Sequence, residues 1–267
     1  FCRNYPFLES HLLLSLKAIG ISEGDEVITT PFTFISPGEV IAQCGAKPVF
    51  ADIREKDFLI DPNEIEKRLD PLSAKVILPV HLFGQACDMK KIMQIAHEWK
   101  LKVVEDAAQA FGNKNIGQGD LLCFSFHPSK SLGACGDAGM VLTNNKKYAE
   151  TIRSLRNHGA NLKAGAIGKY DNQILGFNSR LDEIQAAILR VKFQEFLKKP
   201  IQRLYTFTTP NRDLLKQWLD KQGIYNHIFY DKLLHLLPVF KYLNYHKGDF
   251  PVSEKVAREC LSINIFI

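Results

Sequence analysis

The sequence predicts an α/β protein: a mostly parallel mixed sheet flanked by helices, followed by a small α+β domain that looks shortened and truncated. Three observations lead there. Short β-branched runs alternate with stretches of helical spacing through the first part of the chain, and strand–helix alternation forces parallel strand pairing. Past residue 193 the alternation gives way to a shorter strand, helix and strand pattern, so a large domain is expected over 1–193 and a small one over 194–267. The 267 residues are 46% apolar and 24% charged, an ordinary globular composition that can bury a large core.

Taken in order, apolar residues at Leu12, Leu13, Leu16 and Ile19 recur at helical spacing, and Gly20 stops that helix. Gly24 to Thr30 reads as a strand leading to Pro31. Ser36, Pro37 and Glu39 fit an N-cap, N1 and N3 pattern for a helix through Cys44. Ala46 to Asp52 is the next strand, and Asp61-Pro62-Asn63-Glu64 caps a helix over Ile65 to Leu69. Lys75 to Val80 is a β-branched strand ending at His81, Asp88 caps a helix carrying Met89, Ile92, Met93 and Ala96, and Leu101 to Glu105 forms another strand. In such a sheet the ligand crevice lies beyond the carboxyl ends of the strands, where His81 and Asp106 fall. Met140 to Thr143 reads as a strand and Asn145 to Leu155 as a helix. Leu181, Ile184, Ile188 and Val191 mark one apolar face of a helix to Phe193; beyond it, Tyr205 to Thr208 and Ile228 to Tyr230 read as strands around a helix over Leu214 to Leu219.

The formal charge of +5 is dispersed, and no aromatic residues interleave with a basic stripe, so a nucleic-acid partner is not indicated. The six cysteines are widely spaced without a CxxC pair, which points to reduced thiols, the cytoplasm and no bound metal. No run approaches the ~18 apolar residues that span a bilayer, so no membrane partner is expected. The chain starts at Phe1 and ends on Ser262 to Ile267 without a capping signal; both ends read as cut.

The chemistry concentrates in Cys123-Phe124-Ser125-Phe126-His127-Pro128-Ser129-Lys130, followed by Gly133 and Gly136-Asp137-Ala138-Gly139. A lysine between an apolar run and a glycine-rich return is held on a rigid turn, and desolvation there lowers its pKa. Upstream, Val103 to Ala110 reads as a buried strand ending in Asp106. An amine able to form an imine and a carboxylate able to face a pyridinium nitrogen are what pyridoxal phosphate requires of a protein. Each residue also has a plainer role. Asp106 can cap a following helix, and Ser125 with the amides near Gly133 and Gly136 can serve a tight turn instead of a phosphate. His81 can stack on a cofactor or satisfy a neighbouring carbonyl. Phe34 can lie over an aromatic ring or belong to the core, and Asn178 can be a helix cap.

Together these stretches resemble the DegT/DnrJ/EryC1/StrS sugar aminotransferases, pyridoxal phosphate enzymes of fold type I. The resemblance is carried by Gly24 to Ile28, Pro31-Phe32-Thr33-Phe34, Pro79 to Gln85, Glu105-Asp106-Ala107-Ala108-Gln109, Phe124 to Lys130, Gly136 to Gly139 and Asn178-Ser179-Arg180-Leu181-Asp182-Glu183. In the tail, Pro210 to Asp213 and Lys247 to Pro251 add to it. It implies Lys130 as the Schiff-base lysine, Asp106 as partner of the pyridine nitrogen, Phe34 and Gln109 as ring contacts, and Ser125 as a phosphate ligand. Asn178 resembles the asparagine that family members present to the opposite subunit's phosphate, which implies a homodimer. The implied reaction moves an amino group from an amino acid, glutamate or glutamine, to a nucleotide-linked keto sugar.

Where the family has a Gly-Thr pair at the start of the first helix, this chain has Leu8-Glu9. A glutamate about 4 Å from a phosphate charge costs on the order of 4 kcal/mol per charge pair at an effective dielectric of about 20. The loop from Gly112 to Asp120 reads as shortened, and part of the small domain reads as missing between Phe193 and Tyr205. These departures motivate a second reading, a truncated or non-catalytic relative that keeps the dimer surface. A sugar dehydratase of the same fold is a third reading, against which Lys130 argues.

Overall fold

The protein is described here from a computed structural model, in which residues 7–161, 171–198 and 204–264 are defined. The expectation of a missing segment between Phe193 and Tyr205 bears on residues 199–203, outside that set, and so do the two chain ends. The side chains of Leu8 and Glu9 also lie outside it.

Six strands form the main sheet: β1 (Glu26–Thr29), β2 (Lys47–Phe50), β3 (Ala74–Ile77), β4 (Lys102–Asp106), β5 (Leu121–Ser125) and β6 (Gly139–Leu142). Their spatial order is β2-β1-β3-β4-β5-β6. All neighbours run parallel except β6, which returns antiparallel to β5. The sheet is therefore mixed and mostly parallel, as the alternation predicts. Val27, Ile28, Val76, Ile77, Val103 and Val104 are all fully buried, and such unbroken apolar runs belong to strands covered on both faces.

The helices α1 (Phe7–Ile19), α2 (Ser36–Gln43), α3 (Pro62–Arg68), α4 (Met89–Glu98), α5 (Lys146–Leu155) and α6 (Glu183–Phe196) cover it. Leu12, Leu13 and Leu16 bury the inner face of α1 against β4, β5 and β6. Asp61, Asp88, Asn145 and Asp182 each accept a backbone N–H in the first turn of α3, α4, α5 and α6, satisfying donors that have no partner within the helix. Ser36 departs from the expected capping role. Ile35 is already helical at φ −64°, ψ −29°, so Ser36 lies within the first turn and its Oγ caps nothing.

A three-stranded antiparallel sheet, β7 (Leu204–Thr208), β8 (Asn226–His227) and β9 (Cys260–Asn264), follows in the order β7-β9-β8. It carries α7 (Arg212–Lys221) and α8 (Pro251–Glu259). The strand expected at Ile228–Tyr230 lies two residues earlier, where Asn226 and His227 pair with Ile263 and Ser262 of β9. Leu233, Val256, Ala257 and Cys260 join the same core as the main sheet. The join is also polar. Asp52, buried just after β2, accepts from the backbone of Val252 at 3.0 Å and Ser253 at 2.9 Å and from Ser253 Oγ at 2.5 Å. A carboxylate from one end of the chain thus caps the first turn of a helix 200 residues away.

Among the described residues, one expected apolar face is only partly covered. On α6, Ile184 is 76% and Val191 68% exposed, whereas Leu189 is buried. The helix runs on through Phe193 to Phe196 without a break at the expected domain boundary.

At the end of β4, alternation sends Glu105 and Asp106 to opposite faces of the sheet. Glu105 is fully buried and accepts from His81 Nε2 at 2.8 Å, Gly117 N at 2.9 Å and Gly119 N at 2.5 Å. Burial pushes its pKa up, but these hydrogen bonds outweigh burial and hold the carboxyl below its ordinary 4.5. His81 Nδ1 accepts from Cys87 N at 3.1 Å, so the imidazole is neutral with its proton on Nε2. Removing the Glu105 charge with Glu105→Gln is expected to cost about 2–3 kcal/mol at neutral pH, since hydrogen bonds to a buried charge are the strong ones. Because the folded pKa is depressed, this stabilisation is present above 4.5 and is lost as pH falls through the lower folded value. Urea melts should therefore show the wild-type advantage at neutral pH and its shrinkage in acid.

Candidate active site

Beyond the carboxyl ends of β1, β3, β4 and β5 lies a small cavity, partly open to solvent. The strand order reverses between β2-β1 and β1-β3, so the cavity sits where open α/β sheets bind ligands. Its wall comprises Asp106 at the end of β4 with Ala108 and Gln109 after it, Lys130 after β5, Val80 after β3, Thr33, Phe34, Ser36 and Pro37 before and within α2, and His11 and Leu12 of α1.

The lysine is placed by a closed turn. Lys130 N donates to His127 O at 2.8 Å, Ala134 N to Phe126 O at 2.8 Å, and Phe126 N to Ala138 O at 2.7 Å. Gly133 packs so closely that a Cβ there would lie 2.5 Å from Pro128 O, so the turn requires glycine. From outside, Gln185 of α6 accepts from Cys135 N at 2.9 Å, and Lys192 donates to Gly133 O. Burial pushes the Lys130 amine below its ordinary 10.5, with the nearby Asp106 pulling the other way. Burial likewise raises the Asp106 carboxyl, against the Ala108 N–H bond at 3.0 Å and the Lys130 charge. Each group on its own resists ionisation, and a cationic heterocycle against Asp106 would reverse that for the carboxyl.

Gln109 is gripped at both ends of its amide, accepting from Phe83 N and donating to the Tyr230 hydroxyl, each at 2.9 Å. Phe34 is 46% exposed at the cavity. His11 reaches the cavity because Gly139, paired with Ser125 across β5 and β6, has no side chain. A Cβ at 139 would lie 2.7 Å from His11 Nδ1.

Lys130, Asp106, Gln109 and Phe34 are thus brought to one cavity. Three other predicted residues are not. His81 is fully buried, its two ring nitrogens bonded to Glu105 and the Cys87 amide, and it does not line the cavity. Ser125 is buried, its Oγ accepting from His127 N at 3.3 Å, and it does not line the cavity. Asn178 is exposed, its Oδ1 accepting from Arg180 Nε at 3.2 Å. Sequence reasoning missed His11, Ser36 and Tyr230. His11 had a signal, lying one turn before Ser15 on the buried face of α1.

The residues present fit a pyridoxal-type cofactor. An amine and a carboxylate of matched chemistry share one cavity, a half-exposed phenyl ring stands beside them, and Ser36 Oγ in the wall is buried without a hydrogen-bond partner. A bound ligand would satisfy that hydroxyl. Among the described residues no cluster of metal-ligating side chains occurs, and no helix is long and apolar enough to cross a membrane.

Fold and cavity together define a pyridoxal phosphate enzyme of fold type I. The chain belongs to the DegT/DnrJ/EryC1/StrS aminotransferase family, whose model matches residues 10–205 and 197–267. It is 41% identical over 291 aligned positions to a "Pleiotropic regulatory protein" of Geobacillus stearothermophilus, covering 95% of this chain and 76% of that protein. It is 36% identical to the UDP-N-acetyl-3-dehydro-alpha-D-glucosamine 3-aminotransferase of Acidithiobacillus ferrooxidans, covering 96% and 76%. Among solved structures, DesV of S. venezuelae in complex with a ketimine intermediate superposes with a TM-score of 0.88 at 33% identity, over 97% of this chain and 78% of that one. The protein is a pyridoxal phosphate-dependent aminotransferase.

The amine and carboxylate make a pH prediction. Covalent attachment of pyridoxal phosphate to Lys130, trapped by borohydride and read by mass spectrometry, should accelerate with a midpoint below 10.5, because only the neutral amine attacks. Asp106 favours the ammonium form, so in Asp106→Asn the midpoint should move lower still. A midpoint that rises in that variant contradicts the geometry.

Proposed function

We propose that the chain transfers an amino group from an amino acid, glutamate, to a nucleotide-linked keto sugar, in the synthesis of amino sugars for surface polysaccharide. The observation that carries this reading is the shared cavity of Lys130 and Asp106 on the fold of a family whose named relatives include a UDP-sugar aminotransferase. Pyridoxal phosphate, when bound, supplies the electron sink that lets a proton leave the carbon beside the transferred amine. Lys130 Nζ is the covalent anchor and, once released, carries that proton as base and then acid. Burial keeps the amine poised to do so. Asp106 holds the pyridine nitrogen protonated, Gln109 orients the ring, and Phe34 shields its face from water.

The active unit we propose is a homodimer. Leu175 is 98%, Ile184 76% and Val191 68% exposed, and apolar exposure of this extent favours a protein partner. Asn178 lies exposed on the same stretch of chain and outside its own cavity, as a residue serving a second copy's cofactor does. Ser125 would hold phosphate only after giving up its bond to His127 N. The five described cysteines are all free, which supports the cytoplasm as the compartment.

Two measurements test this. Wild-type protein loaded with pyridoxal phosphate should release 2-oxoglutarate from glutamate in the presence of a UDP-linked 3-keto sugar, and Lys130→Ala should lose at least ~10³-fold in rate, as losing a covalent catalyst does. No release by the wild type would favour a non-catalytic relative. Sedimentation should give a dimer for the wild type and a folded monomer for the double variant Ile184→Asp, Val191→Asp.

A further inference from the structure

Of the residues around the cavity, Gln109 is held at both ends of its side-chain amide, and one of these constraints comes from far along the chain. Phe83 adopts a left-handed backbone at φ 55° and aims its N–H at Gln109 Oε1 at 2.9 Å. Gln109 Nε2 donates to the Tyr230 hydroxyl, also at 2.9 Å, across 121 residues of sequence. The Phe83 N–H can only donate, so it fixes Oε1 on its side and leaves Nε2 facing the Tyr230 hydroxyl, which can accept. An amide NH₂ has two hydrogens, and with one on Tyr230 the other remains for a ligand in the cavity that Gln109 lines.

Tyr230 is itself held firmly. Its ring meets fully buried Phe32 edge-on, with centroids 6.0 Å apart at 78°, and packs on Phe229 at 5.6 Å. The Phe229 carbonyl accepts from Cys260 Sγ at 3.3 Å, which ties the segment to the start of β9. Burial, with Asp106 nearby, pushes the phenol pKa well above its ordinary 10.0, so the hydroxyl stays neutral. Tyr230 does not line the cavity.

We propose that Tyr230 is a positioning residue: its hydroxyl fixes the Gln109 amide so that the remaining N–H is presented to the bound cofactor. The C-terminal segment thereby acts on the site through a single neutral hydrogen bond. This rests on the cavity being the cofactor site, for which binding by the wild type is the control.

The test is a double-mutant cycle on the full chain, with the dissociation constant of pyridoxal phosphate measured by equilibrium titration. Tyr230→Phe keeps the ring that packs on Phe32, and a thermal melt of the cofactor-free protein checks that it does. Loss of one hydrogen bond is expected to weaken binding roughly fivefold. Gln109→Ala should weaken it at least as much, and the double variant should be no weaker than Gln109→Ala alone. The pH dependence of the bound cofactor's visible absorption should move in Tyr230→Phe and not move further when that change is added to Gln109→Ala. Unchanged affinity in Tyr230→Phe, or the same loss in both backgrounds, overturns the proposal. Should Tyr230→Phe not fold, Gln109→Glu decides instead, because it keeps an acceptor for Phe83 N and removes the N–H; full affinity in that variant overturns the proposal equally.

Discussion

Two successive carboxylates at the end of one strand, facing opposite sides of the sheet, are the constraint on which the site depends. Glu105 turns away from the cavity and anchors the ends of β3 and β4 through neutral His81 and two backbone amides. Asp106 turns toward it. The backbone that aims Asp106 is stiff because the neighbouring side chain is saturated with hydrogen bonds, and a buried polar cluster rigidifies when every member is satisfied. The two residues differ in kind as well as in direction. Glu105 is held ionised by donors, whereas Asp106 is pushed toward neutrality by burial. The first is an anion held by its donors, and the second is a carboxyl whose charge its surroundings disfavour.

The lysine opposite is controlled by a different means. Its turn is closed by backbone hydrogen bonds and by a glycine that no other residue can replace without striking Pro128 O. The turn is then clasped from outside by Gln185 and Lys192 of α6. The amine is thus carried by a short rigid arc, and the carboxylate by a strand end. Such supports hold the two side chains in register without depending on long flexible loops.

What was legible in the sequence was mostly local. The apolar run ending in Asp106, the glycine return after Lys130, and the caps at Asp61 and Asp88 each depend on residues a few positions apart, and each forms as the pattern predicts. Ser36 misled because the preceding Ile35 is already helical, which a Ser-Pro pattern does not reveal. The role of His81 is decided by Glu105, 24 residues away, and that of Gln109 by Tyr230, 121 residues away. Neither distance is readable from spacing. The apolar face of α6 was read correctly as apolar, but periodicity says that a face is to be buried and not by which chain.

The bond network at Asp52 has a consequence for how the molecule comes apart. A helix end normally finds its cap in the residue just before it, yet α8 takes its cap from Asp52, just beyond β2. Pulling the last helix away would strip donors from a buried anion on one side and bare N–H groups on the other, a double desolvation that neither fragment can repair alone. The two regions should accordingly melt in a single cooperative transition, and a fragment ending before Pro251 should be a poorer folder than the apolar surface it retains would suggest.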